Sequence, residues 1–219
     1  MPNDQGEASD AVPEAGWIAA DLRDELPGLG LRYLALEARP TRSPPHVRDR
    51  LRTLADRFGG AQAINLRNRA IPWAYRVFFR HIGLDPDEQP TPVEELALQR
   101  MLHGGFASEN LIADAVAIAI IESGVALRAF DAAALQGRLG IRSSAAGERL
   151  LPARAPLRPG TLVIADEQAP VSPLFGDVRS RSGPSSRTRR AVFAAIQVRG
   201  VPDIAVEEAI WLAASVIRA

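Results

Sequence analysis

The chain has 219 residues, of which 47% are hydrophobic and 24% charged, with no cysteine and a formal net charge of zero. That composition excludes wholesale disorder, collagen and coiled coil, and the lack of cysteine excludes disulfides, thiolate zinc sites and cysteine nucleophiles. No apolar run reaches the roughly 20 residues that a bilayer helix needs, and the start, MPNDQGEASD, is acidic where a secretory signal is basic, so a cytoplasmic protein without membrane contact is expected.

The zero balance hides an uneven layout. Every basic residue is arginine. Residues 1–25 carry a net charge of −6, residues 39–80 one of +8, and residues 178–202 hold six arginines and no carboxylate. Two strongly basic stretches point to an anionic partner; pairing of these arginines with acids elsewhere in the fold is the competing reading.

In chain order, residues 1–16 read as a disordered acidic tail, and residues 17–219 as the folded domain. Ile18–Leu26 predicts a short helix ended by Pro27-Gly28. Leu31–Ala38 is apolar enough for a buried strand. Ser43-Pro44 predicts a capped helix start running to Phe58, with Val47, Leu51, Leu54 and Phe58 on one face and Arg48, Arg50, Arg52 and Arg57 solvated. Pro72–Ile82 predicts another helix, with Trp73, Val77 and Phe78 inward. Thr91-Pro92-Val93-Glu94 is a capping box opening a helix to Gly104, and a further helix is expected over Ser108–Ser123. The pattern then changes. Gly137–Arg142, Thr161–Ala165 and Ala191–Arg199 read as strands, Val171–Arg190 as mostly loop, and Asp203 as the cap of a last helix. A helix-rich first half and a strand-rich second half predict a mixed α+β fold.

No strong catalytic motif is present. His46, His81 and His103 lie on different predicted helices without ligand spacing, so neither a metal nor another cofactor is expected. Asp114 interrupts an apolar helix and needs a partner. That partner is either a clamp fixing a loop to the helix terminus or a ligand amine. The loop Ser182–Thr188 offers hydroxyls, a glycine and flanking guanidiniums, which suit either an anion nest or an ordinary surface turn.

The order of several segments resembles one family. Gly124–Asp131 (GVALRAFD), Gly137 to Arg142, Gly147-Glu148, Thr161–Asp166 (TLVIAD), Phe175-Gly176 and Ser182-Gly183 to Thr188 follow one another as in the B-three/B-four domain of the phenylalanyl-tRNA synthetase beta subunit. Upstream, Tyr75-Arg76, Gly83–Pro86 and Pro90–Glu94 look like bacterial proteins built from this domain alone. The resemblance implies a domain arranged around a central pocket, which in the synthetase hydrolyses tyrosine wrongly attached to the phenylalanine tRNA. It implies binding of tRNA or aminoacyl-tRNA, with hydrolysis of a mischarged aminoacyl-tRNA in trans as the associated activity; no aminoacylation core is expected. Gly176 matches the glycine of the family's Phe-Gly turn, Arg128 stands where the family has a pocket histidine, and Ala194 where it has the glutamate that selects tyrosine. The expected pocket is therefore Arg128, Gly176, Ser182, Ser185 and Thr188, with Arg187, Arg189 and Arg190 as RNA phosphate contacts. Reuse of the pocket for a free amino acid is the alternative, and docking through the acidic tail a third reading.

Overall fold

The run Ala191–Ile196 is apolar at every position, the pattern of a strand buried on both faces. The structure, a computed structural model, describes residues 12–58, 65–150, 155–176 and 181–219 and sets this run at the centre of a sheet. In chain order the elements are β1 (Glu14–Ala15), β2 (Trp17–Ile18), α1 (Ala20–Glu25), β3 (Gly30–Glu37), α2 (Pro45–Arg57), α3 (Ala70–His81), α4 (Pro92–His103), α5 (Leu111–Ser123), β4 (Leu127–Asp131), β5 (Gly140–Ser143), β6 (Leu162–Ala165), β7 (Pro170–Pro173), β8 (Arg190–Gln197) and α6 (Asp203–Arg218). The strands form two four-stranded sheets, ordered β1-β3-β8-β4 and β2-β5-β6-β7. The mixed α+β expectation holds.

In the first sheet β8 pairs antiparallel with β3, from Gly30 opposite Gln197 to Glu37 opposite Arg190, and on its other side with β4, from Leu127 opposite Ala195 to Asp131 opposite Ala191. Residues directly opposite share a face. One rung is Arg32–Ala195–Leu127, and Arg32 reaches Asp203 at 3.9 Å and Glu207 at 3.5 Å on α6. That face therefore lies under α6. The next rung, Tyr33–Ala194–Arg128, projects to the opposite face. Tyr75 on α3 closes the ladder where β4 begins: its hydroxyl donates to the Ile196 carbonyl and accepts from the Ala126 amide at 3.0 Å. Burial pushes the Tyr75 phenol far above its ordinary range, so it stays a neutral donor.

Several expectations are corrected. Order begins before Trp17: Glu14 and Ala15 pair with Tyr33 and Arg32, and the Gly16 amide donates to the Leu31 carbonyl. Residues 1–11 lie outside the described residues. Phe78 is inward as expected, but Trp73 and Val77 are 49% and 48% exposed; Ala74, Tyr75 and Phe79 are buried with Phe78, and aligning those aromatics inward turns Trp73 to solvent. Ser43 does not cap α2 but is buried with its hydroxyl on Asp114, and the first residue of α2 is Pro45. Arg50, expected in solvent, forks onto both Glu122 oxygens at 2.9 and 2.6 Å and ties α2 to α5. Asp203 is the first residue of α6, not its cap, and its carboxylate accepts from the Gln197 side-chain Nε2. Among its described residues Val171–Arg190 is mostly loop, as expected, with β7 taking in Val171–Pro173 and β8 beginning at Arg190.

The second sheet depends on one small residue. β2 runs parallel to β5 with Trp17 opposite Gly140, and a Cβ on Gly140 would lie 2.1 Å from the Trp17 ring and 2.3 Å from its carbonyl oxygen. Gly140→Ala must push β2 off the sheet edge, and a loss of at least about 2 kcal/mol is expected in urea unfolding.

Candidate functional site

A cavity of about 1300 Å³ opens between two walls. One is helical, from the C-terminal end of α3 through α4 and α5, and contributes His81, Glu95, His103 and Glu109. The other is made by strand ends, with Arg128 of β4, Ser143 of β5, Leu162 of β6 and Leu174–Gly176 beyond β7. Arg158, just ahead of the Pro159-Gly160 turn, adds a second guanidinium to this side.

The Leu174–Gly176 wall is held from both sides. Phe175 inserts among three rings of α3, with centroids 4.7 Å from Phe79, 6.0 Å from Phe78 and 6.2 Å from Tyr75. Arg128 then clamps the carbonyls on either side of Phe175: Nε donates to Leu174 at 3.2 Å and Nη2 to Gly176 at 2.9 Å. The planar guanidinium fork suits two acceptors held in fixed relation, which an ammonium could not match. Gly176 has φ +97°, so the turn out of the wall favours glycine. Ala194, beside Arg128 on its rung, is buried and projects no carboxylate.

Asp114 also lines the cavity, yet its oxygens already have partners. Oδ2 accepts from the hydroxyls of Ser43 and Ser108, both at 2.6 Å, and Oδ1 from the Glu109 amide at 2.9 Å. It sits in the first turn of α5, where a negative charge also favours the helix dipole. The loop-fixing reading describes it, with two serine hydroxyls and a backbone amide as the clamp. Asn110 caps the same helix, accepting from the amides of Ile112 and Ala113, both at 3.1 Å.

The expected pocket residues divide. Arg128 and Gly176 line the cavity; Ser182, Ser185 and Thr188 do not, although Gly183 and Pro184 between them do. The reason is internal bonding. Thr188 is fully buried, its hydroxyl donating to Asp131 at 2.7 Å and accepting from the Ser185 amide at 2.9 Å. The Ser182 carbonyl accepts from the Asp131 amide, and the Ser185 hydroxyl from the Arg187 amide at 3.3 Å. With a carboxylate at its centre, this loop is no anion nest. Arg187, Arg189 and Arg190 are exposed outside the cavity; Arg189 donates to the carbonyls of Ser186 and Thr188, and Arg190 lies opposite Glu37. Sequence reasoning missed Arg158, Glu95 and Glu109 and placed His81 and His103 on separate predicted helices without assigning them to the pocket. A turn proline-glycine after Arg158 and the Gly104-Gly105 break after His103 mark where elements begin or end, not the space they border. Among the described residues no three His, Asp or Glu side chains gather as a metal site.

Two arginine–carboxylate groups brace the rim. Arg76, 4% exposed, donates to Glu94 at 2.7 Å and to Asp87 at 2.5 Å, tying α3 to the start of α4. The Arg76 hydrogen bond holds the Asp87 carboxyl below its ordinary range. Behind the strand wall, Arg142 forks onto Glu148 at 2.7 and 2.6 Å. Those bonds, with the Ala145 amide behind them, hold the Glu148 carboxyl below its ordinary 4.5. A lowered folded pKa means stability present above pH 4.5 and lost as pH falls through the folded value. Glu148→Gln is expected to flatten the stability–pH curve below that point, as measured by chemical unfolding across a pH series.

Two sheets, a helical layer and an open cavity between them define a mixed α+β architecture. The B3/4 domain model matches residues 74–208, more than half of the chain, and the chain belongs to that family, whose domain is found in the phenylalanyl-tRNA synthetase beta subunit. The matched span runs from α3 into α6 and includes the whole strand wall of the cavity. No curated protein matches the chain. No helix among the described residues is long and apolar enough to cross a membrane.

Proposed function

We propose that the protein binds aminoacyl-tRNA, seating the aminoacylated acceptor end in the cavity between α4–α5 and the Leu174–Gly176 wall, and that it hydrolyses the mischarged ester in trans. Family membership gives the tRNA-synthetase relationship. The observation that carries the reading is the cavity's division of charge: Arg158 on the strand side, where Arg128 is engaged in holding the wall, and Glu95 and Glu109 on the helical side. An aminoacyl ester of RNA is dipolar in the same sense. Its phosphates suit the arginine side and its α-ammonium the carboxylate side. The volume, about 1300 Å³, also exceeds the usual range for small-molecule pockets of roughly 300–1,000 Å³. A free amino acid would fill only a small part of it; a terminal adenosine carrying an amino acid fills a larger share and leaves room for the preceding nucleotide. In the reaction, water adds to the ester carbonyl, the ribose oxygen leaves and takes up a proton, and free amino acid and uncharged tRNA are released.

The test is a panel of aminoacyl-tRNAs incubated with the purified full-length protein, scored for binding and deacylation. Selective deacylation of one species supports the proposal. Binding of charged over uncharged tRNA without deacylation supports the binding half and removes the hydrolysis. No binding of any tRNA at low salt, where phosphate contacts are strongest, overturns both. A thermal shift with a free amino acid would in that case favour the amino-acid reading.

A further inference from the structure

The face of α3 turned away from the core carries an aromatic–arginine stripe that neither the core nor the cavity uses. Arg69, Trp73, Val77 and Arg80 recur at spacings of four, four and three, so they share one side of the helix. All four are exposed. Trp73 leaves 49% of its surface in solvent, with the Arg80 guanidinium over its ring at 6.0 Å. The surroundings are strongly basic: between Asp56 and Asp85 the sequence holds five arginines and no carboxylate. Asp87 pairs with Arg76 and also reaches Arg80 as an ion pair at 3.8 Å, and Glu122, which pairs with Arg50, borders the same small pocket as Arg69.

We infer that this stripe is a contact track for unpaired RNA, with Trp73 stacking on a base and Arg69 and Arg80 meeting the flanking phosphates. The inference rests on the proposed function and deepens it by placing the RNA outside the cavity. Charge decides between occupants. A second copy of the chain or a generic apolar partner would want the Trp73–Val77 pair without guanidiniums on both sides, whereas a polyanion carrying π-faces wants both. Continuity with the cavity supports the same choice. His81, the last residue of α3, lines the cavity, so the stripe leads to its rim. From Trp73 to His81 the helix rises about 12 Å at ~1.5 Å per residue, a distance that a short single-stranded end can follow on its way in.

The experiment is equilibrium binding of labelled, uncharged tRNA and of a short single-stranded oligoribonucleotide ending in CCA, by anisotropy over a salt series. Wild type is compared with Trp73→Ala, Trp73→Phe, the double variant Arg69→Gln with Arg80→Gln, and Trp211→Ala. Trp211 is the control, a partly exposed tryptophan near Arg218 on α6. Because Trp73 is exposed, its variants should fold, and a melting curve checks this. Trp73→Ala is expected to weaken binding of both RNAs roughly ten- to a hundredfold, Trp73→Phe to restore most of it, and Trp211→Ala to leave it unchanged. The arginine double variant should lower the salt slope by about 1.4–1.8. Wild-type binding that Trp73→Ala leaves intact overturns this track while the proposed function stands. A wild type that binds neither RNA overturns the track, and the aminoacyl-tRNA panel decides the proposed function separately. A dimer in sedimentation that Trp73→Ala dissociates, with RNA affinity unchanged, overturns the track in favour of a second copy.

Discussion

Asp114→Ala is expected to lower the unfolding free energy by about 3–4 kcal/mol. The carboxylate is 1% exposed and takes three short hydrogen bonds, from Ser43, Ser108 and the Glu109 amide. Bonds to a charged acceptor contribute roughly 1.5–3 kcal/mol each in isolation, and two serine hydroxyls that can rotate toward other acceptors bring the total down. The loss is not only energetic. Ser43 belongs to the segment before α2, and the Leu111 amide donates to the Thr41 carbonyl beside it, while Ser108 and Glu109 lie in the segment before α5. This side chain joins the two segments beside that backbone bond, and Glu109 borders the cavity. Urea unfolding should show the drop, and limited proteolysis should find residues 39–43 and 105–109 newly cleavable. Asp114→Asn should fall between, because an amide keeps one acceptor oxygen but turns an NH₂ toward a donor. An Asp114→Ala variant as stable as wild type would mean that the segments are held by their apolar contacts alone.

Asp114 also shows how far the sequence could be read. A carboxylate within IADAVAIAI declares that it needs a partner, since an unpaired buried charge is costly. It does not say which partner. Ser43 is 71 residues away, and nothing in its own neighbourhood distinguishes it from an N-cap serine before Pro44-Pro45. Local signals were legible where the chain itself satisfies them. Thr91 and Glu94 bond to each other within one turn, and Gly124 ends α5 with φ +76°. Long-range ones were not. β3 lies beside β8 only because tertiary packing brings residues 30–37 to 190–197, and β1 and β2 are two-residue strands too short to carry an alternation. The same limit governed the site. Phe175-Gly176 and Arg128 could be singled out by their resemblance to a known domain. The clamp between them crosses two sheets and appears only in three dimensions. Thr188 was misplaced for the converse reason: a hydroxyl in a glycine-containing loop looks available until Asp131 is seen to hold it.

Arg128→Met should separate the clamp from direct anion recognition. The guanidinium bonds to the carbonyls of Leu174 and Gly176, so its loss frees the wall around Phe175 while the apolar stem of methionine keeps the packing. The three aromatic contacts of Phe175 still anchor the segment, and stability should fall by only about 1–2 kcal/mol. Function should suffer more. A wall displaced by about 1 Å can cost on the order of a hundredfold in a positioned reaction, so deacylation should drop far beyond the stability change, with melting curves confirming a folded protein. Arg128→Lys decides how the residue acts. If the clamp is its role, lysine, which lacks the planar fork, should rescue little of the activity and leave the salt dependence of tRNA binding unchanged. If Arg128 instead meets a phosphate, lysine should restore affinity, and Arg128→Met should reduce the salt slope by about 0.7–0.9. The geometry around Leu174 and Gly176 predicts the first outcome.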